Sequence, residues 1–154
     1  MTLIQPLSEY YDVIWSNADS SSLNRLLRLQ KRGARIILHK KIREERTVNL
    51  FRELGWVSLF VRWTFHKCLT VYKCLNGFCP SYLCDLFSLN SDIHNYNTRN
   101  KSNLHMAKIT SKSGYRSFTY SAAKLYNSLN TAIKSASSIK SFSNNKWSDT
   151  CRFL

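Results

Sequence analysis

Cysteine and histidine are the side chains best able to bind metal or to act as nucleophile and base. Three of the five cysteines, Cys74, Cys79 and Cys84, recur at five-residue intervals downstream of His66 and Cys68. Structural zinc sites use ligand pairs roughly two to four residues apart. Cys68 falls in an apolar helical stripe and Cys84 sits between Leu83 and Asp85, so these thiols are better described as small buried hydrophobes than as metal ligands. The four histidines, His39, His66, His94 and His105, lie in unrelated contexts. None adjoins a serine or cysteine nucleophile signature, and no glycine-rich phosphate loop is present. Phosphoryl transfer by paired metal ions needs carboxylates that hold two cations about 3.5–4 Å apart. The nine acidic residues include no adjacent Asp pair, and the neighbouring Glu44 and Glu45 are enclosed by Arg43 and Arg46. The sequence therefore predicts no catalytic residue, no metal site and no cofactor.

What remains is the chemistry of anion recognition. Arg25, Arg28, Arg32 and Arg35 recur at spacings of three and four, which places them along one side of a helix. All four carry the planar fork suited to bidentate phosphate contact, and almost no acid lies at helical spacing to neutralise them. The element that must position them is equally visible: Leu23, Leu26, Leu27, Gln30, Ala34, Ile37 and Leu38 form an apolar face opposite the arginines, with N-cap candidates at residues 19–22. Gly33 inside this helix costs about 1 kcal/mol relative to alanine, which predicts a close neighbour or a bend at that point. The net charge is +14. Residues 20–46 supply half of it, with nine bases against two acids, whereas residues 1–19 hold three acids and no base. Such a balance points to an anionic partner, RNA or DNA backbone first and acidic lipid surfaces second.

At 154 residues, 44% hydrophobic and 13% aromatic, the chain can bury a core. The periodicities predict a mainly α fold, a small helical domain of five to six helices with a long polar loop and room for a short β-hairpin. A helix near Thr47 buries Val48, Phe51 and Leu54 and stops at Gly55. Another begins near Ser58, carries Val61, Phe65, Cys68, Leu69, Tyr72 and Leu75 as its stripe, and ends at Gly77. Pro80 opens a short helix ending near Phe87. Ser117 caps a helix with Phe118, Ala122, Leu125 and Leu129 inward, and Ser138 opens a last segment using Ile139, Phe142 and Trp147. The expected organisation is a helical block at 1–87, a polar loop at 88–116 with extended structure near 104–109, and a helical pair at 117–154, together one compact domain. In the loop, Arg99 and Lys101 are candidates for a nucleic-acid backbone, beside Tyr96 as a stacking surface. The competing role for Asn97 and Arg99 is to satisfy loop carbonyls.

YKCLNGFCPSYLCDLF at residues 72–87 and NYNTRNKSNLHM at 95–106 resemble the C-terminal, post-palm region of the reverse transcriptase of non-LTR (LINE-type) retrotransposons. The resemblance continues through PLSEYYDVIW (6–15), LQKRGARII (29–37), LFRELGWVSL (50–59) and SFTYSAAKLYNSL (117–129), so it covers nearly the whole chain. It implies thumb-like helical structure that holds template, primer or target DNA in an RNA-directed DNA polymerase, without the palm that performs the chemistry. The family's Trp-Asn-x-Leu-Pro stands here as YNSLN, with Tyr126 for the Trp and Asn130 for the Pro. These departures suit a truncated or decaying copy. A cut through a domain leaves apolar residues such as Leu3, Ile4 and Leu7 uncovered, which predicts self-association. The alternatives are a structural or protein-interaction module, or a remnant without selected function.

The apolar runs are all interrupted well short of the ~20 residues needed to span a bilayer. The start lacks the basic and apolar regions of a secretory signal. An intracellular protein with reduced thiols and no membrane partner is expected. With no carboxylate pair available, the chain should incorporate no nucleotide on a primed RNA or DNA template with magnesium or manganese. Reproducible primer extension by the purified protein would show that this reading of its acids is mistaken.

Overall fold

The computed structural model describes residues 9–41, 45–94, 96 and 98–144. The fold is mainly helical, with ten helices among these residues. They are α1 (Asp12–Trp15), α2 (Ser20–Ile37), α3 (Thr47–Glu53), α4 (Leu59–Leu75), α5 (Ser81–Cys84), α6 (Asn90–Ile93), α7 (Lys112–Tyr115), α8 (Phe118–Asn127), α9 (Thr131–Lys134) and α10 (Ile139–Ser143). Six of these are only four or five residues long, which is why the count exceeds the five or six helices that periodicity reveals. The chain divides into two compact units, Met1–Trp63 and Thr64–Leu154. The division falls inside α4, upstream of the residue 87 boundary expected from composition.

In the first unit, α1 is held by its aromatic end. Trp15 sets its ring edge-to-face against Trp63 at 5.1 Å between centroids, and its indole N–H donates to the Tyr10 carbonyl at 2.7 Å. Arg62 pairs with Glu9. Helix α3 packs on α2, but its buried residue is Leu50, whereas Val48, expected inside, is 60% exposed. It ends in a Schellman turn: Gly55, at φ 62, follows the helix, the Trp56 N–H donates to the Phe51 carbonyl at 2.7 Å, and the two rings meet at 6.1 Å. The same hydrogen-bond pattern at Gly77 closes α4. Helix α2 also stops this way, yet its left-handed residue is His39, at φ 51, where a side chain makes the conformation cost about 1–2 kcal/mol.

The second unit is organised around the buried side of α4. Cys68, Val71, Tyr72 and Cys74 are all buried there. Tyr72 stacks on Phe142 of α10 with centroids 4.5 Å apart, and its hydroxyl donates to the Ala136 carbonyl at 2.7 Å. Phe87 meets Phe118 edge-to-face at 5.8 Å. Helices α8 and α10 begin where expected, at Ser117 and Ser138, each hydroxyl accepting a backbone N–H of the first turn. Trp147, expected to join this core, lies outside the described residues.

Among the described residues of the polar stretch 88–116 the one buried anchor is Leu104, 2% exposed. In place of a hairpin, a single antiparallel bridge joins Leu89 to Leu104, framed by the Asn90 N–H donating to the Asn103 carbonyl and His105 N–H to that of Ser88. In a pair of this kind the backbone groups of Leu104 point away from its partner, toward where a third strand would lie. The side-chain amide of Asn127 occupies that place. It accepts from the Leu104 N–H at 2.8 Å and donates to the Leu104 carbonyl at 2.9 Å. One amide thus replaces a strand and fixes the loop to α8.

Asn127→Ala leaves both Leu104 groups without a partner beside a buried side chain, each worth about 1–3 kcal/mol when stranded. The expected result is a loss of that order in urea unfolding, with protease cleavage within residues 88–116 much accelerated. A variant as stable and as resistant as the parent would rule out this clamp.

Candidate nucleic-acid interface

Helix α2 starts at Asp19, whose carboxylate accepts the Ser21 and Ser22 N–H groups at 3.0 and 3.1 Å. Hydrogen bonds from the Ser21 and Ser22 hydroxyls, then from their backbone, hold this carboxyl well below the usual range. It therefore stays charged at the positive end of the helix dipole. One side of α2 is tied to the segment before α4 by Gln30. Its amide donates to the Val57 carbonyl at 2.9 Å and accepts from the Leu59 N–H at 3.1 Å. The Leu59 N–H belongs to the first turn of α4 and has no partner within its own helix. Gln30 therefore caps α4 from a distance, and a polar residue in the middle of an apolar face is explained.

This clamp fixes the rotation of α2. Ala34 is fully buried, and Leu23, Leu26, Leu27 and Leu38 are half-buried on the same side. Arg25, Arg28 and Arg32 are exposed on the other. None of the three pairs with a carboxylate among the described residues. Arg35 departs from the expected row: it is half-buried on the flank, and its Nε is buried without a hydrogen-bond partner among the described residues. Ile37, expected in the core, is 49% exposed, because the buried side is centred nearer Ala34 and Leu38. Nothing approaches within 4 Å of a Cβ built at Gly33, so no neighbour requires that glycine. Around it Leu29 and Ile36 are also exposed, at 62% and 65%.

Arg99 and Lys101 lie in the second unit, on an exposed turn after α6. Arg99 makes no hydrogen bond with the described residues. The backbone of Lys101 carries the turn instead: its N–H donates to the Thr98 carbonyl at 3.2 Å and its carbonyl accepts from Ser91 at 3.0 Å. Tyr96 beside them is 79% exposed, while Asn97 lies outside the described residues. This turn thus sets an exposed ring beside two cations that make no ion pair among the described residues.

The cysteines cluster more closely than their spacing suggests. The thiol of Cys74, on the last turn of α4, lies close to those of Cys79 and Cys84, and the Cys84 Sγ donates to the Cys79 carbonyl at 3.4 Å. Schellman closure at Gly77 turns the chain back so that these residues meet, a consequence of the turn that linear spacing hides. Even so, among the described residues no group of three His, Cys, Asp or Glu is arranged to hold a metal ion. None of their helices is long and apolar enough to cross a membrane. Comparison with family models, curated proteins and solved structures finds no match to this chain.

Burial, reinforced by the adjacent Cys79 and Cys84 thiols, pushes Cys74 up from 9.0 to about 12. Burial does the same to Tyr126, from 10.0 to about 12. Below the lower values both groups are neutral whether the chain is folded or not. Above them the unfolded chain ionises first, so the stability tied to the neutral forms is lost as pH rises from about 9 to about 12. Urea midpoints should fall steadily across that window, and less steeply in Cys74→Ala. At neutral pH, iodoacetamide should label Cys79 and Cys84 before Cys74. Equal labelling of the three thiols, or a midpoint indifferent to alkaline pH, would contradict this environment.

Proposed function

We propose that this chain is a non-catalytic helical module that binds nucleic-acid backbone through α2, in the manner implied by its resemblance to the post-palm region of a LINE-type reverse transcriptase. The observation that carries this reading is the row Arg25, Arg28 and Arg32, exposed, without carboxylate partners among the described residues and continued on the flank by Arg35. From Arg25 to Arg35 the helix rises about 15 Å. Over that length one strand of a duplex presents about four phosphates. Guanidinium groups fixed on a capped helix meet such a row with less loss of freedom than lysines on a mobile segment would. Contacts of this kind hold a strand without reading its sequence. The partner is therefore RNA or DNA backbone, with no cofactor.

A second reading is a protein-interaction module. What favours it is the exposed apolar strip Leu29, Ile36 and Ile37 around the open space at Gly33, which suits a packed helix or a second copy. Salt dependence separates the two, because only neutralised phosphates release counterions.

Replacing Arg25, Arg28 and Arg32 together by Gln should leave helicity nearly unchanged, since the two residues have similar helix propensity. The log–log salt slope for a single-stranded oligonucleotide should shrink by about 0.7 per contact, roughly 2 in all. The loss should be similar across sequences. Lys40, Arg52 and Lys140, all exposed, changed together to Gln give the matched loss of net charge. Equal weakening by both variants makes the protein a mere polycation, and no weakening by either favours the interaction module.

A further inference from the structure

A groove of about 370 Å³ opens in the second unit, lined by Tyr115, Tyr120, Ser121, Lys124, Leu125 and Ser128. That volume lies within the range of small-ligand sites. The two tyrosine rings stand at 81° to one another with centroids 5.2 Å apart, so they form a corner that offers a planar group a face on one side and an edge on the other. Tyr115 is 50% exposed but is not carried on a loose loop. The hydroxyl of Ser111 caps α7 by accepting the Gly114 N–H at 3.1 Å. Ile109 packs so closely beneath that a Cβ at Gly114 would lie 2.4 Å from its Cγ2. Glycine at 114 is what lets Ile109 brace the turn.

The polar groups of the groove complement the same kind of ligand. Ser128 donates its hydroxyl proton to the Leu125 carbonyl, which leaves oxygen lone pairs to accept from an exocyclic amine or a ribose hydroxyl. Lys124 is exposed and makes no ion pair among the described residues. Lys112 and Arg116 flank Tyr115 in the chain, and the acids of the described part of this unit are Asp85 and Asp92, neither of them a residue of the groove lining.

We propose that this groove is a base-stacking site for single-stranded nucleic acid, with an unpaired base held against Tyr115 and Tyr120 and the adjoining phosphate on Lys124. The site goes beyond the arginine row of α2 and stands on different residues. It selects single strands, because the base faces of a duplex are already stacked and cannot enter. Alternating aromatic and cationic groups are the recurrent means of holding single strands without reading them.

The test uses the full chain, a fluorescent uridine 12-mer and a duplex of equal length. Tyr115→Leu should lose about five- to hundred-fold in affinity for the single strand. Its salt slope should stay that of the parent, because no phosphate contact is removed, and duplex binding should not change. Tyr115→Phe should restore single-strand affinity. Independently of any folding defect, a 5-bromouridine 12-mer irradiated with the unaltered protein should crosslink to the peptide holding Tyr115 and Tyr120. Crosslinks only elsewhere, parental binding by Tyr115→Leu, or an equal loss on the duplex overturns the site. Loss in the α2 arginine variant alone removes this groove and leaves that row standing. Loss in Tyr115→Leu alone does the reverse, and a parent that binds neither probe removes both.

Discussion

The orientation of α2 depends on one side-chain amide. Gln30 accepts the Leu59 N–H, a group that a helix start leaves without an internal partner, and donates to the Val57 carbonyl just before the helix. An amphipathic helix resting on apolar contacts alone can rotate by tens of degrees at little cost, since such contacts are not directional. Two hydrogen bonds to fixed backbone remove that freedom. Ala34 is then turned fully inward, Arg25, Arg28 and Arg32 outward, and Ile37 is left at the edge. The outward row is thus a consequence of how a different helix is capped.

The second unit uses the same device. Asn127 satisfies both backbone groups of Leu104, much as an added strand would, so a long polar stretch gains an anchor without needing a sheet. In both units an amide that carries a donor and an acceptor side by side stands in for a peptide group. This is economical in a chain with nine acids against twenty-three bases, where ion pairs to tie elements together are scarce. The Arg62–Glu9 pair and these amides carry what charge pairing does elsewhere.

Much of this was legible in residue types. The caps at Asp19, Ser117 and Ser138 and the glycine stops at 55 and 77 are local signals, set by the conformation of one or two residues, and they fall where expected. The mainly α class followed from them. Illegible were the one-turn helices other than the one opened at Pro80, because four residues contain no repeat of period 3.6 to detect, and the left-handed His39, which no local rule favours over glycine. The exposure of Ile37 and Val48 depends on partners many residues away. The arginine row was visible as a pattern, but the lack of carboxylate partners among the described residues needed the fold. The Tyr115–Tyr120 corner had no linear signature at all, since it arises from the angle between two short helices.

The stacking of Tyr72 on Phe142 and its hydroxyl bond to Ala136, 64 residues downstream, set an order of events during synthesis. At about 5–20 residues per second, α4 leaves the ribosome several seconds before the segment that covers it. Throughout that interval Val71, Tyr72 and Cys68 face solvent or whatever else will shield them. A ribosome paused between those two segments therefore presents a sticky, strongly cationic nascent chain next to ribosomal RNA, and holding it in solution falls to chaperones that bind exposed apolar helices.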